Sequence, residues 1–314
     1  MKIIIYVLII LISFVLTFKV LFKLTLSKEI NSDLFIKYLL ASGTNNMLGD
    51  KSSFGDFIAA NFGTSTLIKL GLNNMMGDMS VAGYTFSDDE EGNAGAHTDY
   101  IPDPNPVEIK EPLVYIYNTH QRENYSMENL APYNIKPNVL MASYVFRERL
   151  NDLGIPTIVE TNDVTEILRV NSWAYAYSYK ASRLLIEDAI NKNKSIKYII
   201  DIHRDSVRYE ATTAEIDGVR YAKLLFLVGG ENPNYGKNLE LANKVNDIIK
   251  ATSSSLTRGI MIKEGPGVNG IYNQDISPNV MLIEVGGQYN SIEEVNNTIN
   301  ILAKAIHELI EGEL

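Results

Sequence analysis

Residues 112–314 predict an α/β fold, a mostly parallel twisted sheet flanked by helices. Two observations carry this. Short apolar runs rich in β-favouring residues recur with almost no polar interruption, as in a sheet covered on both faces. Between them lie longer segments whose apolar residues repeat at helical spacing. Strands alternating with helices of that length give a sheet of mainly parallel neighbours.

The elements follow in chain order. Ile3 to Phe18 is an unbroken run without charge, flanked by Lys2, Lys19 and Lys23. Counted past Lys19 to Phe22, it reaches the roughly 20 residues that span a bilayer core. No small-x-small cleavage site follows it, so residues 1–25 read as an uncleaved transmembrane anchor rather than a signal peptide. Such an anchor leaves the bulk of the chain outside the cell membrane. Residues 26–85 mix apolar clusters with Gly, Asn and Ser. Phe35–Leu40 and Thr66–Leu72 each suit short helices of a juxtamembrane region or stalk. Residues 86–111 read as an acidic Pro/Gly linker, with Asp88-Asp89-Glu90-Glu91, then Pro102, Pro104 and Pro106. Expected strands are Leu113–Tyr117, Ile155–Val159, Tyr198–Ile202, Leu224–Val228, Ile260–Ile262 and Val280–Ile283. Expected helices are Val139–Leu150, Tyr175–Asn191, Tyr235–Lys250 and Ile292–Ile310. The last carries Ile292, Val295, Ile299, Leu302, Ala303, Ile306 and Ile310 on one stripe. No internal repeat is present.

Composition narrows the chemistry. The net charge is −10, so the clustered Lys and Arg that nucleic acid demands are lacking. There is no cysteine, which excludes thiol catalysis, disulfides and thiolate metal sites. Neither Gly-x-Ser-x-Gly nor Ser-x-x-Lys occurs, so serine acyl-enzyme chemistry has no support. Any metal site must use His, Asp and Glu, and the four histidines are His97, His120, His203 and His307. His97 falls in the linker and His307 in the last helix, where solvated or surface histidines are ordinary.

The other two histidines end predicted strands, where α/β sheets bind ligands. Asn118-Thr119-His120-Gln121-Arg122-Glu123 leaves the first strand, Asp201-Ile202-His203-Arg204-Asp205 the third, and Glu284-Val285-Gly286-Gly287 the last. A thiolate-free zinc site wants two imidazoles, a carboxylate and one open position. His120, Glu123 and His203 offer that set. Glu284 is placed as the proton acceptor and donor, and the two glycines after it leave space for a substrate. Its carboxyl, partly desolvated at a strand end, would have a raised pKa. Arg204 and Asp205 would orient these ligands or contact substrate. A structural ion-pair cluster around Asp201–Asp205, and a Glu284 that caps a helix or pairs a lysine, fit the same spacing.

The segments Tyr115–Tyr125, Asp201–Ser206, Tyr272–Asn279 and Ile283–Gly287, with Gly229–Asn234, resemble the stage II sporulation protein P family of endospore formers. The resemblance covers roughly residues 110–314. It implies a zinc amidase-like fold and an N-acetylmuramoyl-L-alanine amidase that hydrolyses peptidoglycan during engulfment. A crosslink-cleaving endopeptidase activity is implied with it. By position it implies zinc on His120, Glu123 and His203, with Glu284 as catalytic acid/base. Asn273 falls within the matching segments, and Asn118 stands where the family commonly has the first histidine of His-Thr-His. Together with Arg204 and Asp205, these two asparagines are the candidates for orienting or substrate-binding roles. The implied partners are stage II sporulation proteins D and M, and the implied location is the wall side of the membrane. Two rivals share these residues. A zinc carboxypeptidase would need Arg204 or Arg258 for a terminal carboxylate, and a non-catalytic wall-binding scaffold would need no metal.

Overall fold

The computed structural model describes residues 32–45, 98–128, 130 and 135–313. The expected anchor, the Thr66–Leu72 helix, the acidic start of the linker and His97 lie outside the described residues. Among the described residues, no helix is long and apolar enough to cross a membrane.

All six expected strands form and join one sheet. They are β1 (Val114–Tyr117), β2 (Thr157–Val159), β3 (Tyr198–Asp205), β6 (Leu224–Gly229), β7 (Thr257–Lys263) and β8 (Val280–Gly287), in the order β2-β1-β3-β8-β6-β7. A small hairpin of β4 (Thr213–Ile216) and β5 (Val219–Ala222) stands apart. The helices longer than one turn are α1 (Ser32–Asn45), α2 (Val139–Asp152), α3 (Val164–Val170), α4 (Ser178–Lys192), α5 (Tyr235–Thr252) and α6 (Ile292–Glu313).

The sheet is mostly parallel, as expected, with a single antiparallel pairing between β8 and β6. β2, β1, β3 and β8 run parallel, and β6 with β7 runs the other way, antiparallel to β8. The cause lies in the connections. A parallel neighbour needs a crossover, usually helical. Between β3 and β6 the chain makes the β4–β5 hairpin instead, and between β7 and β8 it makes a loop, so direction reverses at both places. The hairpin turns on Asp217-Gly218, whose φ angles of 52° and 75° suit a primed turn.

Alternation along the strands sends side chains to two faces. Ile116, Ile200 and Ile283 join the main core with α2, α5 and α6. Tyr115, Tyr117, Ile199 and Val280 face the other way, onto Ile186 and Ala189 of α4. The result is three layers with both sheet faces covered. The caps are explicit: Asn138 Oδ1 accepts from Met141 N to start α2. Ser291 and Glu294 exchange side-chain-to-backbone bonds at the head of α6.

Two segments read as stalk and linker pack on this domain. Phe35, Ile36 and Leu39 of α1 are buried in the main core, and the Leu39 carbonyl accepts from Arg149 and Asn296. Composition could not show this, because α1 finds its partners far away in sequence. From Thr98 onward the Pro-rich segment is strapped down. Thr98 N donates to Arg122 O, Tyr144 Oη donates to Ile101 O, and Arg147 is paired with Asp103.

Candidate active site

The site forms where β1, β3 and β8 end side by side. Its first wall is the exit of β1. Asn118 Nδ2 donates to Ile202 O at 2.6 Å, and Asn118 Oδ1 accepts from Ser143 Oγ at 3.0 Å. Thr119 donates through both N and Oγ1 to the Asp201 carboxylate, at 3.0 and 2.8 Å. These bonds fasten the chain to β3 and α2, and the turn that follows closes with Glu123 N on His120 O at 3.1 Å. His120 and Glu123 are therefore carried on one tight turn.

The second wall is the pair β3 and β8, on which His203 and Glu284 are direct partners in parallel register. The imidazoles of His120 and His203 meet edge to face, with ring centroids 5.3 Å apart. The structure thus brings together His120, His203 and Glu284, and the His120 turn brings Glu123. Burial raises the Glu123 carboxyl, against the pull of Arg204 and His203. Burial likewise raises Glu284, to about 7; His203 opposes this, and the Asp205 and Glu123 carboxylates add to it. His203 is lowered by burial, but Asp201, Glu284 and Glu123 outweigh that and take it to about 9.

The remaining expected residues sit around this centre. The β3–β8 register shifts between His203 and Asp205, as at a bulge that redirects side chains. Arg204 Nε donates to Asn124 O, bracing the segment after Glu123. Asp205 accepts from Ser206 N and Val207 N, and its other oxygen pairs with Arg258 Nη1 at 2.6 Å. Asn273, in a left-handed conformation at φ 56°, donates to Tyr179 O and Ser182 Oγ. Both asparagine amides are thus engaged with the protein and hold the walls. The space expected beside Gly286 and Gly287 is filled by protein. A Cβ on Gly286 would meet Ala222 Cβ and Asn290 Oδ1 at 2.7 Å, and one on Gly287 would meet Thr212 and Asp205 O.

Sequence reasoning gave no role at the site to four neighbours. Asp201 is fully buried, and its Oδ2 lies 3.0 Å from His203 Nε2, though the ring N–H is not aimed along that line as in a hydrogen bond. The available signal was its position two residues before His203, on the same strand face. Tyr175 stacks on His120 with centroids 4.8 Å apart. Tyr179 stacks on His203 and meets His120 edge-on, and Tyr272 meets Tyr179 edge-on. Aromatic residues at positions 173, 175, 177 and 179 were the signal for that wall. His307, by contrast, lies on α6 beside Glu311, away from the site's strand ends.

The donor set suits a divalent cation. Glu123 Oε2 and Glu284 Oε2 are buried and lack hydrogen-bond partners among the described residues, and such atoms are costly unless a cation or proton satisfies them. Among the described residues, no three His, Asp or Glu side chains form a ready-made metal group.

The chain is similar in sequence to a known protein, and at low scores in structure to others. A Stage II sporulation protein P from Bacillus subtilis (strain 168) is 35% identical over 204 residues, which are 63% of this chain and 51% of that relative. The chain thus spans about half the length of the curated relative it matches. Among solved structures, an N-acetylmuramoyl-L-alanine amidase from Clostridium difficile 630 gives a TM-score of 0.41 at 18% identity, covering 65% of this chain and 96% of that one. A metallo-carboxypeptidase from Burkholderia cenocepacia gives 0.40 at 9%, covering 65% and 58%. These scores are too low to bear on function. The model of the family described as Stage II sporulation protein P (SpoIIP) matches residues 74–307, the whole span that builds the sheet and the walls of this site, and the chain belongs to that family.

Proposed function

We propose that this chain is a zinc-dependent peptidoglycan hydrolase that cleaves the amide between N-acetylmuramic acid and the L-alanine of the stem peptide. The observation that carries the reading is the meeting of His120, His203 and Glu284 at adjoining strand ends, with Glu123 on the His120 turn. Family membership supports the substrate. Peptide crosslinks are a second class of amide open to the same groups.

His120, Glu123 and His203 would hold the zinc. When bound, zinc supplies Lewis-acid polarisation and a more acidic attacking water. Glu284 Oε2 would accept a proton from the attacking water and return it to the departing amine. Asp201 holds the His203 ring from behind, and Thr119 holds Asp201. Tyr175 and Tyr179 cover the imidazole faces and keep bulk water from them. Arg204 and Arg258, which a carboxypeptidase would need for a terminal carboxylate, are engaged with Asn124 O and Asp205.

The apolar run Ile3–Phe18 supports an anchor in the cell membrane with the hydrolase on the wall side. Stage II sporulation proteins D and M are the partners that family membership suggests. The test is digestion of purified sacculi by the full chain. We expect chelator-reversible release with new L-alanine amino termini, and loss of nearly all turnover in Glu284→Gln with zinc retained. Trimmed peptide ends without those termini, or full activity in Glu284→Gln, would overturn the reading.

A further inference from the structure

Hydrolysis at Glu284 accounts for Tyr175 and Tyr179 but leaves Trp173, Tyr177 and Lys180 without a task. Trp173 is the chain's one tryptophan. It is half-buried against Val164, Leu168 and Ala181, which fix its position. Tyr177 is 51% exposed. Their rings lie 6.2 Å apart at 45°, and Lys180 Nζ sits 4.0 Å from the Trp173 ring centre and 5.7 Å from that of Tyr177. The short turn Tyr175–Tyr177 joins this outer pair to Tyr175, whose ring lies on His120. Trp173 and Tyr175 pack on the same buried cluster, so the outer pair is anchored beside the ring that lies on His120.

Two partly exposed rings under one lysine have a definite chemistry. Lys180 already covers the Trp173 ring, so the C–H face of a pyranose stacks on the exposed ring of Tyr177, and its hydroxyls stay in water. The ammonium answers a carboxylate carried by the same ligand. In a chain of net charge −10, a lysine held here offers an acidic glycan a local point of attraction that the molecule as a whole does not. Two rings and a lysine are also far smaller than the roughly 800 Å² that each partner of a stable protein complex buries.

Building on the hydrolase reading, we propose that Trp173, Tyr177 and Lys180 form a glycan-stacking subsite. It holds a sugar ring of a carboxylate-bearing strand beside His120 and presents the attached peptide to Glu284.

The single tryptophan makes the test direct. Full-length Glu284→Gln is titrated with N-acetylglucosamine tetrasaccharide and, separately, with a peptide-bearing glycan strand, and Trp173 emission is followed. Saturable change is expected with both. Tyr177→Ala should weaken both about ten-fold, and Lys180→Gln should weaken only the peptide-bearing strand. In the active chain, Tyr177→Ala should raise KM on sacculi by about the same factor with kcat held. No saturable change, or equal binding by Tyr177→Ala, overturns the subsite. So does a result in which Tyr177→Ala abolishes capture of a protein and leaves the sugar titration unmoved. Sacculus hydrolysis without a sugar response would remove the subsite and leave the hydrolase standing. A sugar response without hydrolysis would keep the subsite and remove the hydrolase.

Discussion

His203 and Glu284 stand side by side, in register, on neighbouring parallel strands. Neither can be moved without the other, because the backbone ladder between β3 and β8 fixes both. One is an imidazole held up to about 9 by surrounding carboxylates, and the other a carboxyl that burial holds up to about 7. This pair dominates the electrostatics of the metal-free site.

It also sets the pH dependence of metal-free stability. Glu284 moves from an ordinary 4.5 to about 7, and His203 from 6.5 to about 9. Both bind protons more tightly folded than unfolded, so stability falls as pH rises. The Glu284 share is fully present below about 4.5 and is lost as pH rises through 7; the His203 share is present below about 6.5 and is lost through 9. In chelator, the unfolding free energy of the native chain relative to Glu284→Gln should fall between pH 5 and 8 by on the order of 3 kcal/mol. Urea titrations at each pH measure this, and a flat or rising difference would contradict the environment described for Glu284.

Asp201 gives a second prediction. Its carboxylate faces His203 Nε2 and is itself fixed by two bonds from Thr119. Asp201→Asn keeps an acceptor for Thr119 but removes the charge behind the ring. Zinc affinity should drop about 10- to 100-fold with the fold retained, read by competition with a chromophoric chelator. Unchanged affinity would mean that Asp201 does not orient His203.

Gly286 tests the packing behind Glu284. Its φ of 69° disfavours any side chain, and a Cβ there would press on Ala222 and Asn290. Gly286→Ala should cost about 2–4 kcal/mol in urea unfolding. A cost below about 1 kcal/mol would show that β8 shifts freely at this point.

The sequence was most informative where one residue type answers to one cause. The all-apolar runs of β1, β3 and β8 announced a sheet covered on both faces, and the polar residues at their ends announced the site. The reversal of β6 and β7 against β8 was hidden, because it depends on what connects β3 to β6, and the Asp217-Gly218 turn carries no sign of the sheet it serves. Docking of α1 was hidden for a related reason: its carbonyl partners, Arg149 and Asn296, lie more than a hundred residues away. Asn118 and Asn273 are polar residues at the right places, yet their amides brace the walls. Spacing alone cannot separate a side chain that faces a substrate from one that holds the neighbouring strand. The tyrosine wall was visible as composition, but the ring stacked on His120 could be assigned only once the turn Tyr175–Tyr177 was placed.

The most direct measurement is metal content of the full chain after zinc loading, compared among the native chain, His120→Ala and His203→Ala. Convergence of the two histidines with Glu123 predicts about one zinc per chain in the native protein, and loss of that ion in each variant with the circular dichroism of the fold unchanged. Zinc held with native affinity by either variant would contradict it.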